Sequence, residues 1–351
     1  MKLKSKNYGC PSCGATLKYS PEKQKLFCEK CETCVDIAKE KITEKHKWED
    51  RNKFNTNAIK KTEEERFLKC QNCGANVNLK SLEVAKKCPY CETNIVGVFT
   101  DENKLTPDAI IPFKYSKAEA TDMFIKGIKK KWFVPNKLKR HVPVENLNGV
   151  YFPSFSYDAH TESDYKGVLA EDHTYKDSSG NSRTKTTYKH ISGHQSMTLR
   201  DVLVETSTML NQIEMNKIQP YKMDELVKYD NGFILGYTVE DYEKTVEECK
   251  EISNNIMKNN IKTAILSKYS YDRVVSFDMA TTFTDEKFMY YLLPLYENEY
   301  TYKDKKYKTI MNGQTGKVGG GVPRSPVKIT FFVLSILAII GAIIGLIVAF
   351  S

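Results

Sequence analysis

Eight of the ten cysteines in this 351-residue chain fall into two sets with the same internal spacing. Each set reads CxxC, then fourteen residues, then CxxC, and the second set is the first displaced by 60 positions. The first set is Cys10, Cys13, Cys28 and Cys31, and the second is Cys70, Cys73, Cys88 and Cys91. Both sets also share CGA after the first pair and CET at the end, which indicates a duplicated module.

This spacing is typical of structural zinc sites. Two CxxC turns that face each other across a β-hairpin bring four sulfurs to the corners of a tetrahedron and leave no position open for substrate. In the first set, the stretch Ser20-Pro21-Glu22-Lys23 favours a turn between two segments that contain apolar residues. The sequence therefore predicts two zinc ribbons, at residues 1–37 and 67–99, which each hold one structural Zn²⁺.

Two other kinds of cysteine chemistry use the same residues. A cytoplasmic location disfavours disulfides, and redox CxxC motifs do not usually occur as four in matched pairs.

Cys34 forms a further CxxC with Cys31 and competes as a ligand, but Cys28 and Cys31 are favoured because they reproduce the spacing of the second set. Cys249 lies in a helical pattern and is expected to be an ordinary buried thiol.

The C-terminal stretch at residues 329–350 reads ITFFVLSILAIIGAIIGLIVAF and contains no charged residue. About 20 apolar residues in a helix cross a bilayer, so this stretch predicts one transmembrane helix. No apolar run at the N-terminus has the form of a signal peptide. Three basic residues precede the span and none follows it: Lys317, Arg324 and Lys328. The positive-inside rule then predicts a tail-anchored protein of the cytoplasmic membrane, with its soluble part in the cytoplasm.

Small residues recur within the predicted membrane helix. Gly341 and Gly345 are spaced to let two such helices approach closely and form a homodimer. Small residues scattered along a membrane helix would give the same pattern. Both interpretations stay open.

A glycine-rich stretch at residues 312–321, NGQTGKVGGG, precedes the apolar span. Its GK would suit a phosphate loop, but Met311 and Val318 stand where that loop needs its first glycine and its hydroxyl. A dinucleotide motif would need a third glycine at Arg324. We predict no nucleotide site here, and a flexible connector over residues 313–328.

The region between the second ribbon and the connector, residues 105–312, mixes helix and strand signals. Ser116 and Glu119 are spaced as a capping box at the start of one helical pattern, and residues 238–260 predict a second helix. GVYFPSFSYDAH, TYKDSSGNSRTKTTYKHISGH and LRDVLVETS alternate apolar with polar residues, which predicts antiparallel strands. A further hairpin is expected to turn at residues 303–306. Because strands and helices do not alternate regularly, the sequence predicts an α+β fold.

The segment between the two ribbons, residues 38–66, is dense in charges of both signs. Mixed charge of this kind usually forms a solvated face, so an exposed helix or tether is expected. The formal net charge of the chain is +9, and two Cys₄ zinc sites would lower it to about +5. This modest basic balance is not by itself a nucleic-acid signature.

Two polar groups in the α+β region are candidates for chemistry. The first joins acidic residues and histidines on strand-like segments: Asp158, His160, Glu162, Asp164, His173, His190 and His194. Surface residues of a hairpin would give the same pattern, and the chain contains no GxSxG, HExxH or other phosphate loop. We therefore predict that the protein is not an enzyme, with a hydrolase at this cluster as the weakest alternative.

The second group is a basic run that surrounds Trp132 and Phe133. Its members are Lys126, Lys129, Lys130, Lys131, Lys137, Lys139 and Arg140. A solvated face, a contact with anionic lipid headgroups and a contact with nucleic acid all suit such a run, and the sequence leaves the three open.

Several long stretches resemble a group of Gram-positive bacterial proteins with TFIIB-type zinc ribbons. The likeness rests on CPSCGATLKYSPEKQKLFC, PDAIIPFKYSKAEA, KKWFVPN, GVYFPSFSYDA and YLLPLYENEYTYKDKKYKTIMNGQTGKVGGGVPRS. Members are often labelled primosomal helicase-like, and some resemble a membrane component encoded near phage-shock protein A and SPFH-domain proteins. The resemblance implies that NGQTGK belongs to the end of a domain. The chain departs from the pattern at Glu32, where a glycine would normally follow the fourth ligand, so which cysteine closes the first site stays open.

These observations together predict a non-enzymatic, membrane-anchored adaptor. It would hold a protein partner, of the SPFH-domain or phage-shock type, at the cytoplasmic face of the membrane in envelope stress. A membrane-tethered nucleic-acid-binding protein is the alternative.

Overall fold

The computed structural model describes residues 4–349 apart from residues 6–7, 43, 54–65, 71–72, 74, 80–82, 89, 92–93, 99–105, 145, 207–209 and 241. The chain combines five α-helices with mostly antiparallel strands in the described residues, in agreement with the predicted α+β class. The first cysteine module, residues 8–37, holds a three-stranded sheet. The N-terminal strands are β1 (Lys4–Ser5), β2 (Lys18–Ser20), β3 (Lys25–Phe27) and β4 (Cys34–Val35).

The segment after the first module is bound to the rest of the protein. It contains strand β5 (His46–Lys47) and a 3₁₀ helix (Trp48–Lys53). Lys45 Nζ lies 2.6 Å from Asp158 Oδ1 and 2.7 Å from Asp201 Oδ1. The predicted exposed helix or tether is thus replaced at His46–Lys47 by a strand that the adjacent Lys45 fastens to the sheet, whereas Trp48–Lys53 form a short helix. The rest of that prediction, residues 54–65, falls outside the described residues.

The second cysteine module, residues 66–98, is built from two hairpins. Its strands are β6 (Arg66–Lys69), β7 (Asn76–Leu79), β8 (Glu83–Lys87) and β9 (Asn94–Val98). β6 pairs with β7 and β8 pairs with β9, both antiparallel. β1 extends the second hairpin by pairing with β9.

The α+β region supplies the remaining elements. They are β10 (Ala109–Ile110), α1 (Lys117–Lys130), α2 (Asn136–Arg140), β11 (Asn148–Lys176), β12 (Ser182–Glu205), α3 (Gln212–Ile218), β13 (Val227–Lys228), β14 (Thr238–Glu240), α4 (Val246–Leu266), β15 (Arg273–Tyr302), β16 (Lys305–Asn312), β17 (Val318–Gly320) and α5 (Pro326–Ala349). Two short 3₁₀ helices lie at Met223–Glu225 and Asn231–Ile234.

Capping boxes fix the first residues of α1 and α4. Ser116 and Glu119 form the predicted capping box of α1, and Ala120, Phe124 and Ile128 then bury one stripe. α4 starts later than predicted, at Val246, because Thr245 and Glu248 form a capping box there. Residues 238–240 form β14 instead of the start of that helix, since they pair with β8 and β11.

Among the residues that the structure describes, one sheet of twelve strands joins both the second cysteine module and the α+β region. Its main path runs β1-β9-β8-β14-β11-β15-β10-β13, so β14 connects the second cysteine module to the α+β region. The predicted strand GVYFPSFSYDAH is part of β11, whose 29 residues pair with β12 on one side and with β15 on the other. The other two predicted segments contribute to β12. The predicted hairpin turns at Lys303 and Asp304, which have the positive φ angles of a two-residue turn.

Part of this sheet forms a long three-stranded arm, made of residues 159–176, 182–199 and 273–284. Helix α4 covers one face of the arm. At its base, Tyr157 Oη donates to Val246 O at 2.6 Å, and within the arm Tyr165 Oη lies 2.8 Å from the Oη of Tyr269, which follows α4. The opposite face carries polar side chains, among them Glu162 opposite Ser196 and Thr282.

The first cysteine module shares its buried core with the α+β region. Leu17, Tyr19 and Leu26 belong to the same cluster of buried residues as Phe113 and Phe233. The backbone N–H of Tyr19 donates to Leu235 O at 2.9 Å. The module is therefore docked on the α+β region along its apolar side.

The glycine-rich stretch is also part of the folded region, which corrects the predicted flexible connector. Asn312 Oδ1 accepts from the backbone N–H groups of Gln314 and Thr315, each at 2.9 Å, and Asn312 Nδ2 donates to Ile218 O at 3.0 Å. A Cβ on Gly313 would lie 2.5 Å from a ring carbon of Phe113. The glycines here allow close packing, and residues 318–320 then form β17.

Candidate metal centres

Each CxxC pair of the first cysteine module lies on a tight backbone turn. Gly14 N donates to Cys10 O at 2.8 Å, and Cys10 N donates to Ala15 O at 2.6 Å. The second pair repeats the arrangement, since Glu32 N donates to Cys28 O at 2.8 Å. The two turns aim their four sulfurs at one point.

The sulfur separations fit one metal ion. Cys10 Sγ lies 3.5 Å from Cys31 Sγ, and Cys13 Sγ lies 3.5 Å from Cys28 Sγ. All four sulfurs lie within 4.8 Å of one another. A tetrahedral ion with metal–sulfur bonds of about 2.3 Å would place its ligands roughly 3.8 Å apart. The cluster is therefore compatible with a tetrahedrally bound metal ion and needs little rearrangement to hold one.

The thiols of the first cluster differ in acidity. Hydrogen bonds from the hydroxyl and then the backbone N–H of Thr33 lower the pKa of Cys31 to about 6. The backbone N–H of Ala15 lowers the pKa of Cys13, but the neighbouring sulfurs, Cys31 first, outweigh it and raise that pKa to about 12. Four thiolates cannot share so small a volume without a cation, and a divalent metal ion supplies that charge.

The second cluster repeats the first. Cys70 Sγ lies 3.6 Å from Cys91 Sγ, and Cys73 Sγ lies 3.7 Å from Cys88 Sγ. Cys70 N donates to Ala75 O at 2.8 Å, which matches the bond from Cys10 to Ala15. The structure thus brings all eight predicted ligands together in two groups of four.

Two other cysteines stand apart from these clusters. Cys34 lies on β4 with an exposed side chain, and its Sγ faces Glu32 O at 3.9 Å, so the first group closes with Cys31. Cys249 is buried on α4, as its helical pattern predicts.

Thr33 is the residue near the first cluster that sequence reasoning missed. Its Oγ1 lies 3.2 Å from Cys31 Sγ and 3.1 Å from Ser12 Oγ, so it links the two turns. The signal was present in the sequence, because both modules end in CET.

The predicted histidine and acidic cluster forms only in part. On the open face of the arm, His194 Nε2 lies 2.6 Å from Glu162 Oε2, and His194 Nδ1 lies 2.8 Å from Asp164 Oδ1. His160 Nε2 joins them 2.9 Å from Glu162 Oε1.

The remaining members of that cluster lie apart from this network. Asp158 pairs with Lys45 instead, and His173 lies 4.0 Å from Glu171. His190 is exposed and lies opposite Val168 in the sheet. What the structure brings together is thus a network of ion pairs on an exposed sheet face.

Comparisons with known proteins give one relative of similar length. The chain is 26% identical over 329 residues to the "Uncharacterized protein YdjG" of Bacillus subtilis (strain 168), and the match covers 92% of each chain. No protein-family model matches the sequence, and no solved structure matches it. The similarity to YdjG covers most of the chain and carries no function over to it.

Proposed function

We propose that this chain is a non-enzymatic membrane adaptor whose exposed arm holds a protein partner close to the cytoplasmic membrane. The observation that carries the proposal is the arm itself. α4 and the buried core cover one face of its three strands, and the other face carries exposed polar side chains. In the described residues, the outer edge of β12 pairs with no further strand. Such a face and edge suit the docking or strand addition of another protein.

The anchor in this proposal is α5. It is 24 residues long, and residues 326–347 contain an 18-residue apolar window of which none is buried. A helix that belonged to a soluble core would bury these side chains. Basic residues before the helix support a cytoplasmic location for the soluble part. The structure places no other helix of this kind among the residues it describes.

The proposal assigns Zn²⁺ to both cysteine clusters. Four thiolates in tetrahedral array favour this ion and fill every coordination position, which suits a structural role. The zinc ions would then stabilise the modules without chemistry of their own. The resemblance to TFIIB-type zinc-ribbon proteins supports a partner of the phage-shock or SPFH-domain type, because some of those proteins resemble a membrane component encoded near phage-shock protein A and SPFH-domain proteins.

The decisive experiment measures recruitment to the membrane. A photo-crosslinking amino acid at Thr282, on the open face of the arm, identifies the bound protein in intact cells. That protein should sediment with membranes when the full chain is present and should stay soluble when residues 326–351 are deleted. Ser192→Arg with Thr282→Arg, which leave the anchor intact, should also release it, whereas Asn259→Arg on the exposed side of α4 should not.

Two outcomes would contradict the proposal. The adaptor function fails if the partner stays at the membrane without the arm or without the anchor. The assigned topology fails if protease added to intact spheroplasts digests the soluble part, or if alkaline carbonate releases the chain from membranes.

A further inference from the structure

The start of α5 is fastened to the loop that connects α1 and α2. Ser325 N donates to Phe133 O at 2.7 Å. Lys328 Nζ then donates to Trp132 O at 3.1 Å, to Val134 O at 2.9 Å and to Asn136 Oδ1 at 2.7 Å. One ammonium group thus satisfies two carbonyls of the loop and the first side chain of α2, and the loop lies at the level where the apolar helix begins.

Aromatic rings continue this contact by one turn. The ring of Phe332 lies 5.6 Å from that of Trp132 and 5.5 Å from that of Phe133, both in edge-to-face geometry. Trp132 is still 50% exposed. A half-exposed tryptophan beside the first turns of an apolar helix is typical of the boundary between water and the bilayer.

The same segment concentrates positive charge. Residues 126–140 contain seven basic residues and no acidic one. Lys126, Lys129 and Lys130 are exposed on the last turns of α1, and Lys137 and Arg140 are exposed on α2. Lys217 of α3 is a further positive charge close to this segment. Burial, and then the repulsion from Lys217, lower the pKa of Lys131.

We propose that residues 126–140 form an interfacial surface that binds the anionic lipid headgroups of the leaflet that α5 enters. Two observations point to lipid headgroups: the segment contacts the start of α5, and its positive charge complements the negative charge of anionic lipids. Trp132 and Phe133 would lie at headgroup depth, and the lysines would contact phosphate groups around them. This inference rests on the proposed function in one respect, namely that α5 spans a membrane. Its consequence is that the soluble part is held in a fixed orientation at the bilayer surface.

The test uses the full chain reconstituted in vesicles of phosphatidylcholine, with or without phosphatidylglycerol. Trp48→Phe leaves Trp132 as the single tryptophan, and brominated lipids then report how close its ring lies to the bilayer. We expect stronger quenching in anionic than in neutral vesicles, because each basic residue near an anionic surface contributes about 1 kcal/mol, which is roughly fivefold in affinity. Lys126→Gln, Lys129→Gln and Lys130→Gln together should remove the difference, as should about 0.5 M salt.

The matched control removes the same charge elsewhere. Lys176→Gln, Lys185→Gln and Lys258→Gln lie on the arm and on α4, and should leave the quenching unchanged. If Trp48→Phe does not fold, 5-fluorotryptophan labelling of the unmodified chain distinguishes the two tryptophans by their fluorine resonances.

Flotation separates the two proposals. A chain that does not float with vesicles contradicts the membrane anchor. A chain that floats but shows the same quenching in both vesicle types, or in the triple lysine variant, overturns the headgroup surface alone. Binding of a duplex oligonucleotide that is lost in the triple variant, with no effect of anionic lipid, would instead assign the surface to nucleic acid.

Discussion

Glu32 and Gly14 occupy equivalent positions in the two turns of the first cysteine cluster. Each directly follows the second cysteine of its pair, and their φ angles are 59° and 70°. Glycine adopts this left-handed conformation without steric cost, whereas a residue with a Cβ pays about 1–2 kcal/mol. The glutamate that departs from the zinc-ribbon pattern therefore stands in a conformation that favours glycine.

Glu32→Gly should stabilise the first cysteine module. Part of the relieved strain is offset by the greater freedom of glycine in the unfolded chain, so we expect a gain of about 0.5–1 kcal/mol in the free energy of unfolding. Lys30→Gly is the control, because Lys30 lies in the same turn without a positive φ, and it should be neutral or destabilising. Chemical denaturation of the metal-loaded protein measures both. A loss of stability in Glu32→Gly would show that the left-handed conformation of Glu32 is not a source of strain.

Loss of the metal ion from the first cluster should destabilise more of the protein than loss of the metal ion from the second cluster. Cys28 belongs to the core shared with Phe113, whereas the described buried residues around Cys88 are Cys70 and Val77. Cys28→Ser and Cys88→Ser should each reduce the metal content by one ion per chain in native mass spectrometry. Cys28→Ser alone should lower the main melting temperature, by roughly 5–10 °C, because it removes about 3 kcal/mol of shared packing. Equal shifts of the melting temperature in the two variants would contradict this prediction, because they would show that both modules contribute equally to the stability of the α+β region.

The network around His194 should be sensitive to pH. Hydrogen bonds to Asp164 and then Glu162 raise the pKa of His194, and those from His194 and then His160 lower the pKa of Glu162. The contribution of His194 to stability is complete below about pH 6.5 and is lost as pH rises through its folded pKa. The contribution of Glu162 is present above about pH 4.3 and is lost as pH falls through its folded pKa. The network therefore stabilises the arm most between these two values.

Histidine NMR titration tests this prediction. Glu162→Gln should lower the pKa of His194 toward its ordinary value, because it removes one charged acceptor. Glu171→Gln, which lies beside His173 on the same arm, should leave His194 unchanged. An unshifted His194 in the unmodified protein would show that the ion pairs do not persist in solution.

Gly313→Ala should destabilise the α+β region by about 1–3 kcal/mol, because the new Cβ would overlap the ring of Phe113. Gly321→Ala is the control, since a Cβ there meets its nearest atom, Lys308 O, at 3.9 Å. Thermal unfolding measures both variants. If the two variants unfold at the same temperature, residue 313 is not closely packed, and the flexible connector that the sequence predicts would be the better description.

The same stretch should bind no nucleotide. The backbone N–H groups of Gln314 and Thr315 already donate to Asn312, and Lys317 Nζ donates to Gln219 O. Calorimetry of the full chain with Mg-ATP or Mg-GTP should show no specific binding. An affinity better than about 100 μM, roughly −5.5 kcal/mol, that is lost in Lys317→Ala would contradict this prediction.

Features that depend on neighbours in the chain could be predicted from the sequence. The CxxC turns, the capping box of α1 and the apolar stretch of α5 are local, so their residue patterns were sufficient. The start of α4 shows the limit of such patterns, because the apolar spacing continued upstream of Thr245 into a segment that pairs as β14.

Features that depend on distant residues could not be predicted in this way. The partners of Lys45 lie more than a hundred positions away, and those of Lys328 lie nearly two hundred positions away. Composition marked residues 38–66 as solvated and residues 313–328 as flexible. In residues 45–47 of the first segment and in the glycine-rich start of the second, tertiary contacts outweigh the local preference.

The docking of the first cysteine module has a consequence for synthesis. Tyr19 contacts Phe113, 94 residues later, and Leu235, more than two hundred residues later. At roughly 5–20 residues per second, the surface that covers Tyr19 is completed tens of seconds after the module itself. During that interval the module must keep its apolar side in contact with water or with a chaperone. An early supply of metal would fix the module in shape while it waits for the rest of the chain.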